Sequence, residues 1–257
     1  MAGRSAGERH RALFGTGPAP GDRLRLFCFP YAGGNAAAYR GLRAAAPTGL
    51  GVYPVELPGR GRRIREVPHT AMASLVASLA DDLQGALDRP YALLGHSLGG
   101  LIAYELAVEL RERGAPPPAH LFLSAIAAPQ WPRTGRPLHR AGEAEVRAAL
   151  LAMGGTPPEL LANEEIMALA LPVLRADHSV LETYRYRPRP PLPLPVTVFG
   201  GSADEVAPPE VLGGWREHSD RPVAIRLFPG GHFFLTTAPA EVMRGIAHGL
   251  GLLRPAR

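Results

Sequence analysis

The chain carries, in order, a serine, a carboxylate and a histidine, each following an apolar run: Ser97 in Gly95-His96-Ser97-Leu98-Gly99, Asp204 in Gly200-Gly201-Ser202-Ala203-Asp204, and His232 in Pro229-Gly230-Gly231-His232. A serine hydroxyl is a poor nucleophile until a base takes its proton, and neutral imidazole, with a pKa of about 6.5, suits that task at neutral pH. A G-x-S-x-G set between a strand and a helix makes a strained elbow that holds the hydroxyl clear of a sheet. Serine, acid, histidine is also one of the chain orders in which such a triad occurs. The chemistry expected is acyl transfer through an acyl-enzyme, with Ser97 as nucleophile, His232 as base and Asp204 as the acid that orients the base.

Competing residues fit less well. Of the nine histidines, His96 adjoins Ser97, where neighbouring side chains diverge, and reads as a packing or hydrogen-bonding residue. His178 and His248 fall in helical patterns, although His178 is placed where it could face the site. Glu205 neighbours Asp204 in the same turn and either carboxylate could hold the imidazole tautomer; Asp204 comes first after the strand and is favoured. Asp220 lies in a polar segment and is expected to be solvated. Attack also builds negative charge on the carbonyl oxygen, which backbone N–H groups can stabilise. One donor is expected to be the N–H of Leu98. The other is expected from the loop Pro30-Tyr31-Ala32-Gly33-Gly34-Asn35, supplied by Tyr31 or Ala32, with Ala32 the residue favoured.

These groups need a scaffold, and the pattern of the chain supplies one. Leu24 to Phe29, Val52 to Val55, Tyr91 to Leu94 and Leu121 to Ser124 read as strands, followed later by Val196 to Phe199 and Ala224 to Phe228. Between them, Leu75, Val76, Leu79, Leu83 and Leu87 mark a helix from Met72 to Leu87. Leu98, Leu101, Ile102, Leu106 and Leu110 mark another that Gly114 can end. Alternating strands and helices imply a mostly parallel sheet covered on both faces. Asp204 and His232 then lie just past strand ends, where such sheets place their sites. The expected fold class is α/β, an α/β-hydrolase fold. From about 131 to 186 no strand is apparent. Helical patterns at Glu143 to Met153, Pro158 to about Ala162, and Glu164 to Tyr184, interrupted by Pro172, predict a helical lid inserted over the serine. The proline-rich run Arg187 to Pro195 reads as an extended return to the sheet. A last helix should start near Pro239 and run to about Leu253. A single domain is expected, with core at about 22–130 and 187–257 and a poorly ordered leader over 1–21.

Composition narrows the classes further. At 257 residues and 46% hydrophobic, the chain can bury a large core. No apolar stretch approaches the roughly 20 residues that cross a bilayer, and no signal-peptide pattern opens it; a soluble, cytoplasmic protein is expected. The lone cysteine, Cys28, allows no internal disulfide or cysteine metal cluster, and neither metal nor cofactor is called for. All 28 positive side chains are arginine, for a net charge of +5. They are scattered without a basic helix or interleaved aromatics, which argues against nucleic acid, while the charge favours an acidic partner.

Taken together, Phe29-Pro30-Tyr31-Ala32-Gly33-Gly34, Glu56-Leu57-Pro58-Gly59-Arg60-Gly61, the elbow, Gly154-Gly155-Thr156-Pro157-Pro158, Leu174-Arg175-Ala176-Asp177, Glu182-Thr183-Tyr184 and Pro229-Gly230-Gly231-His232-Phe233-Phe234 give a specific pattern. It resembles the type II thioesterases that accompany modular polyketide synthases and nonribosomal peptide synthetases, from about Leu24 to Leu253. That resemblance implies hydrolysis of acyl groups held as thioesters on the phosphopantetheine arm of acyl or peptidyl carrier proteins, clearing stalled or aberrant chains. It implies the triad Ser97, Asp204 and His232, and a monomer is expected. The family commonly has alanine at the position of Gly100, where glycine should only let the helix pack more closely. A carboxylesterase, an acyl-transferring thioesterase and a non-catalytic synthase partner share parts of the pattern. The cluster Arg60, Arg62, Arg63 and Arg65 reads as a solvated turn, or else as a contact for an acidic carrier and its phosphate.

Overall fold

The computed structural model describes residues 12–13, 17–132 and 137–253. The chain runs through β1 (Leu24–Phe29), α1 (Arg40–Ala44), β2 (Leu50–Pro54), α2 (Met72–Leu83), β3 (Tyr91–His96), α3 (Leu98–Glu112) and β4 (His120–Ser124). It continues with α4 (Glu143–Met153), α5 (Pro158–Ala162), α6 (Glu164–Glu182), β5 (Val196–Gly201), β6 (Val223–Phe228), α7 (Phe234–Thr237) and α8 (Pro239–Gly249). The six strands form one parallel sheet in the order β2-β1-β3-β4-β5-β6.

Side chains alternate across a strand, and here they divide the core in two. Phe27, Phe29, Leu93, Leu121 and Leu123 pack with α2 and α3 on one face. Leu26, Cys28, Leu94 and Phe122 pack with α1 and α8 on the other. Burial on both faces is why these strands read as nearly continuous apolar runs. Burial also pushes the Cys28 thiol up, away from the reactive thiolate.

The helical insertion has a smaller core of its own, around Val146, Leu161, Met167 and Leu174. Its three helices occupy the predicted places, but α6 runs on without interruption at Pro172. Pro172 removes one main-chain hydrogen bond, and the buried Met167, Val173 and Leu174 on either side hold the helix together. The return segment is extended, as its prolines require, with Leu192 N–H donating to the His218 carbonyl at 2.9 Å.

The expected leader is partly overturned. Ala12 and Leu13 are buried, Leu13 bridges Val55 antiparallel, and Glu56 N–H donates to the Ala12 carbonyl at 2.7 Å. Apolar contacts with Val55 and Leu57 in the same core cluster outweigh the Gly-Pro composition around them. Residues 1–11 and 14–16 of that segment lie outside the described residues.

Candidate active site

Ser97 sits between β3 and α3 with φ +53° and ψ −121°, a backbone conformation that costs a non-glycine residue about 1–3 kcal/mol. Tight packing imposes it. A Cβ on Gly95 would lie 1.8 Å from the Gly99 carbonyl oxygen, and one on Gly99 would lie 2.0 Å from that of Phe29. Only glycine fits at either place, which is the physical content of the G-x-S-x-G pattern. At Gly100 a methyl would lie 2.6 Å from Ile126 Cγ2, so glycine there does let α3 sit closer to the loop after β4. Ser97 N–H donates to the Ser124 carbonyl at 2.7 Å, tying the elbow to the neighbouring strand.

Asp204 and His232 follow β5 and β6, neighbours in the sheet. His232 Nδ1 lies 2.9 Å from Asp204 Oδ2 and 3.1 Å from Oδ1. Oδ1 also accepts the N–H groups of Val206 and Ala207 at 2.9 and 3.0 Å. Burial works to raise the Asp204 pKa, but the hydrogen bond and charge of His232 and the two N–H donors outweigh it and hold it below the usual carboxylate value. An ionised carboxylate only accepts, so Nδ1 carries the proton of neutral His232 and Nε2 is left free to act as base. Phe233 stands edge-on to the imidazole at 5.2 Å and to Tyr31 at 5.0 Å, fixing the ring from the cavity side.

Ser97 and His232 line one cavity of about 320 Å³ with Tyr31, Ala32 and Gly33. Most of its remaining wall is apolar and comes from the insertion, including Leu150, Met153, Leu161, Met167 and Leu174. Of the two residues expected to supply donors, Ala32 lines the cavity, and Leu98 begins α3, where the first N–H groups have no intrahelical partner. The helix dipole there also favours a developing oxyanion.

The alternatives separate cleanly. Glu205 is exposed, Asp220 is exposed beside Arg221, and His248 is exposed on α8. His178 does reach the cavity wall, its Nδ1 3.1 Å from Glu182 Oε1. His96 is buried behind the site, with Nδ1 2.9 Å from Ser124 Oγ and its ring 5.3 Å from that of His232. Burial, and then the neighbouring His232, push its pKa down to about 3, so it is neutral.

The arginine cluster divides in a way neither expectation held. Arg60 is buried against Asp177, and Arg63 is buried against Glu66 and Asp82, while Arg62 and Arg65 are exposed. Composition in a lysine-free chain gave no sign of this, because the acidic partners lie as far away in sequence as α6. Phe233 and Asp177 were likewise not assigned roles from sequence, although both fall in the motifs that carried the resemblance.

A thioesterase-domain family model matches residues 24–250. The gramicidin S biosynthesis protein GrsT of Aneurinibacillus migulanus is 38% identical over 231 residues, covering 90% of each chain. The RedJ thioesterase from the prodiginine pathway of Streptomyces coelicolor is 41% identical with a TM-score of 0.84, covering 93% of this chain and 94% of its own. The type II thioesterase BorB from the borrelidin biosynthetic cluster is 35% identical with a TM-score of 0.82, covering 91% and 95%.

Proposed function

The chain belongs to the thioesterase family, and from that premise we propose that it is an editing type II thioesterase, hydrolysing acyl groups from the phosphopantetheine arm of acyl or peptidyl carrier proteins in polyketide or nonribosomal peptide biosynthesis. The observation that carries this reading is the shared cavity: Ser97 and His232 stand at one wall of an otherwise largely apolar chamber built by the insertion. A chamber of that kind takes an acyl chain and presents its carbonyl to the serine.

In the mechanism, Ser97 Oγ attacks the thioester carbonyl while His232 Nε2 takes its proton. The N–H groups of Ala32 and Leu98 stabilise the tetrahedral oxyanion, and Asp204 stabilises the imidazolium. Collapse breaks the carbon–sulfur bond, and His232 returns its proton to the leaving thiolate. Water then attacks the acyl-enzyme with His232 again as base, releasing a free acid and restoring Ser97. Side chains and backbone N–H groups suffice, and no cofactor of the chain's own takes part. No described helix is long and apolar enough to cross a membrane, and the protein acts in the cytoplasm as a monomer beside its synthase.

The test compares the same acyl group on carrier protein, on coenzyme A and as a simple oxygen ester. Docking of a tethered substrate raises its effective concentration, so kcat/KM is expected to be highest on carrier protein, with free acid as product. Preference for the oxygen ester would make the chain a carboxylesterase. A cyclised or transferred product would make it an acyltransferase.

A further inference from the structure

The motif residues Arg60 and Asp177 have no place in the triad, yet they meet at the loop that carries the second oxyanion donor. Asp177 projects from α6 of the insertion and is buried. Arg60 Nη1 and Nη2 donate to its Oδ2 and Oδ1, each at 2.7 Å, in a two-point pair. Oδ2 also accepts the N–H of Gly33 at 2.7 Å, and Arg60 Nη1 donates to the Gly34 carbonyl at 3.0 Å. The pair thus grips the Ala32–Gly33 peptide by its N–H and the Gly34–Asn35 peptide by its carbonyl.

That grip fixes a turn. Gly34 N–H donates to the Tyr31 carbonyl at 2.8 Å, Gly33 has φ +74°, and Ala32 does not have positive φ. These are the marks of a type II turn with Ala32 and Gly33 at its centre. Holding the Gly33 N–H fixes the plane of the Ala32–Gly33 peptide, and the turn hydrogen bond to the Tyr31 carbonyl fixes the Tyr31–Ala32 peptide, so the Ala32 N–H loses its freedom to rotate. Leu174, one turn before Asp177 on α6, closes over the same residue: a Cβ on Gly33 would lie 2.4 Å from Leu174 Cδ2.

We propose that Asp177, neutralised by Arg60, is a positioning residue that aims the Ala32 N–H at the oxyanion and thereby couples the seating of α6 on the core to the competence of Ser97. This rests on the thioesterase reading of the cavity. A bidentate carboxylate–guanidinium pair is directional as well as strong, so the arrangement holds an orientation that a lone hydrogen bond would not. When α6 lifts, the Gly33 N–H loses its acceptor and the donor loses its aim; when it seats, both return.

The test uses Asp177→Asn, which puts an amide N–H₂ against the guanidinium, and Arg60→Lys, which keeps the charge but lacks the planar fork whose two nitrogens meet the two carboxylate oxygens side by side. Each is measured as the full chain with active-site-titrated enzyme, a short acyl thioester, and an acyl trifluoromethyl ketone whose adduct with serine bears the oxyanion. Outright loss of an oxyanion donor costs roughly 10²–10³ in kcat; misaiming is expected to cost about 10- to 100-fold. KM for the short thioester should stay within about twofold, and affinity for the trifluoromethyl ketone should fall in parallel with kcat. A folded variant with kcat and ketone affinity within twofold of the parent overturns the proposal. So does failure of both variants to fold, which would mark the pair as a structural brace. Ser97→Ala run alongside tests the thioesterase reading separately, since that reading requires its loss of turnover whatever the other variants do.

Discussion

Asp204→Asn isolates the tautomer on which the base depends, and the structure says which way the new amide will face. Oδ1 already accepts the N–H groups of Val206 and Ala207 at 2.9 and 3.0 Å, so the amide oxygen takes that position and its N–H₂ falls where Oδ2 now lies, 2.9 Å from His232 Nδ1. An N–H₂ group can only donate, which forces Nδ1 to accept and moves the imidazole proton to Nε2. His232 then points a donor at Ser97 and cannot take its proton. Such a tautomer reversal costs on the order of 10⁴ in kcat. The fold should survive, because the side-chain volume and both backbone contacts persist. The exposed Glu205 gives the internal control, Glu205→Gln, with kcat/KM within about twofold of the parent. Thiol release from an acyl thioester, followed spectrophotometrically on active-site-titrated protein, reads both. Turnover by Asp204→Asn above a tenth of the parent, or an equal loss in Glu205→Gln, would refute the reasoning.

Three further outcomes follow from the same geometry. Ser97→Gly relieves the positive φ of the elbow, worth about 1–3 kcal/mol, against an entropy cost of roughly 1 kcal/mol for glycine; it should be more stable than Ser97→Ala by about 1 kcal/mol in denaturant unfolding, with both inactive, and the opposite order would remove the strain argument. His96 has its folded pKa pushed down to about 3 by burial and then by His232, below the unfolded value of about 6.5, so as pH falls between these values the unfolded chain takes up a proton first and stability drops by about 1.4 kcal/mol per pH unit. His96→Gln should flatten that acid slope relative to the parent between about pH 6.5 and 4, and equal slopes would contradict it. Hydrogen exchange should be faster in α4 and α5 than in β3 and β4, because the insertion rests on a small separate core and leaves Leu151 and Leu160 exposed; equal protection would mean that the insertion is as rigid as the sheet.

The strands were legible because they depend on local pattern, and so were the places of Ser97, Asp204 and His232 just past strand ends. β1 spans Leu24–Phe29 as expected, while β2 starts earlier because Leu50 and Gly51 join the ladder opposite Leu24 and Arg25, and ends at Pro54, leaving Val55 to bridge Leu13. The same holds for the insertion, where α4 and α5 begin and end at the residues their periodicity marks. What escaped was structure set by distant partners. The short α1 and the 3-10 stretch Pro209–His218 have too few apolar repeats to announce themselves, and are held by Leu42 and by Leu212 and Trp215 against the core. Trp215 Nε1–H reaches the Ile126 carbonyl at 2.7 Å across 89 positions of sequence. Arg60 and Arg63 looked like surface charge for the same reason: a cation's burial is decided by the carboxylate it meets, and Asp177 lies 117 positions away.

The return segment after α6 has a mechanical consequence. Five of the eight residues from 188 to 195 are proline, with Leu192 and Leu194 buried while Pro191, Pro193 and Pro195 face out. Prolines at compatible positions limit the freedom of the unfolded chain, and here they make a stiff strut that is pinned at Leu192 by His218 and Ser219 and at Pro195 by Leu121. Held at these two points, the segment fixes where β5 begins independently of the helices before it. Chamber walls on α4 and α5 can therefore be repacked for a different acyl chain while β5 keeps delivering Asp204 to the same point and α6 keeps Asp177 on Gly33. Tolerance of substrate change and constancy of the catalytic acid are divided at eight residues of chain.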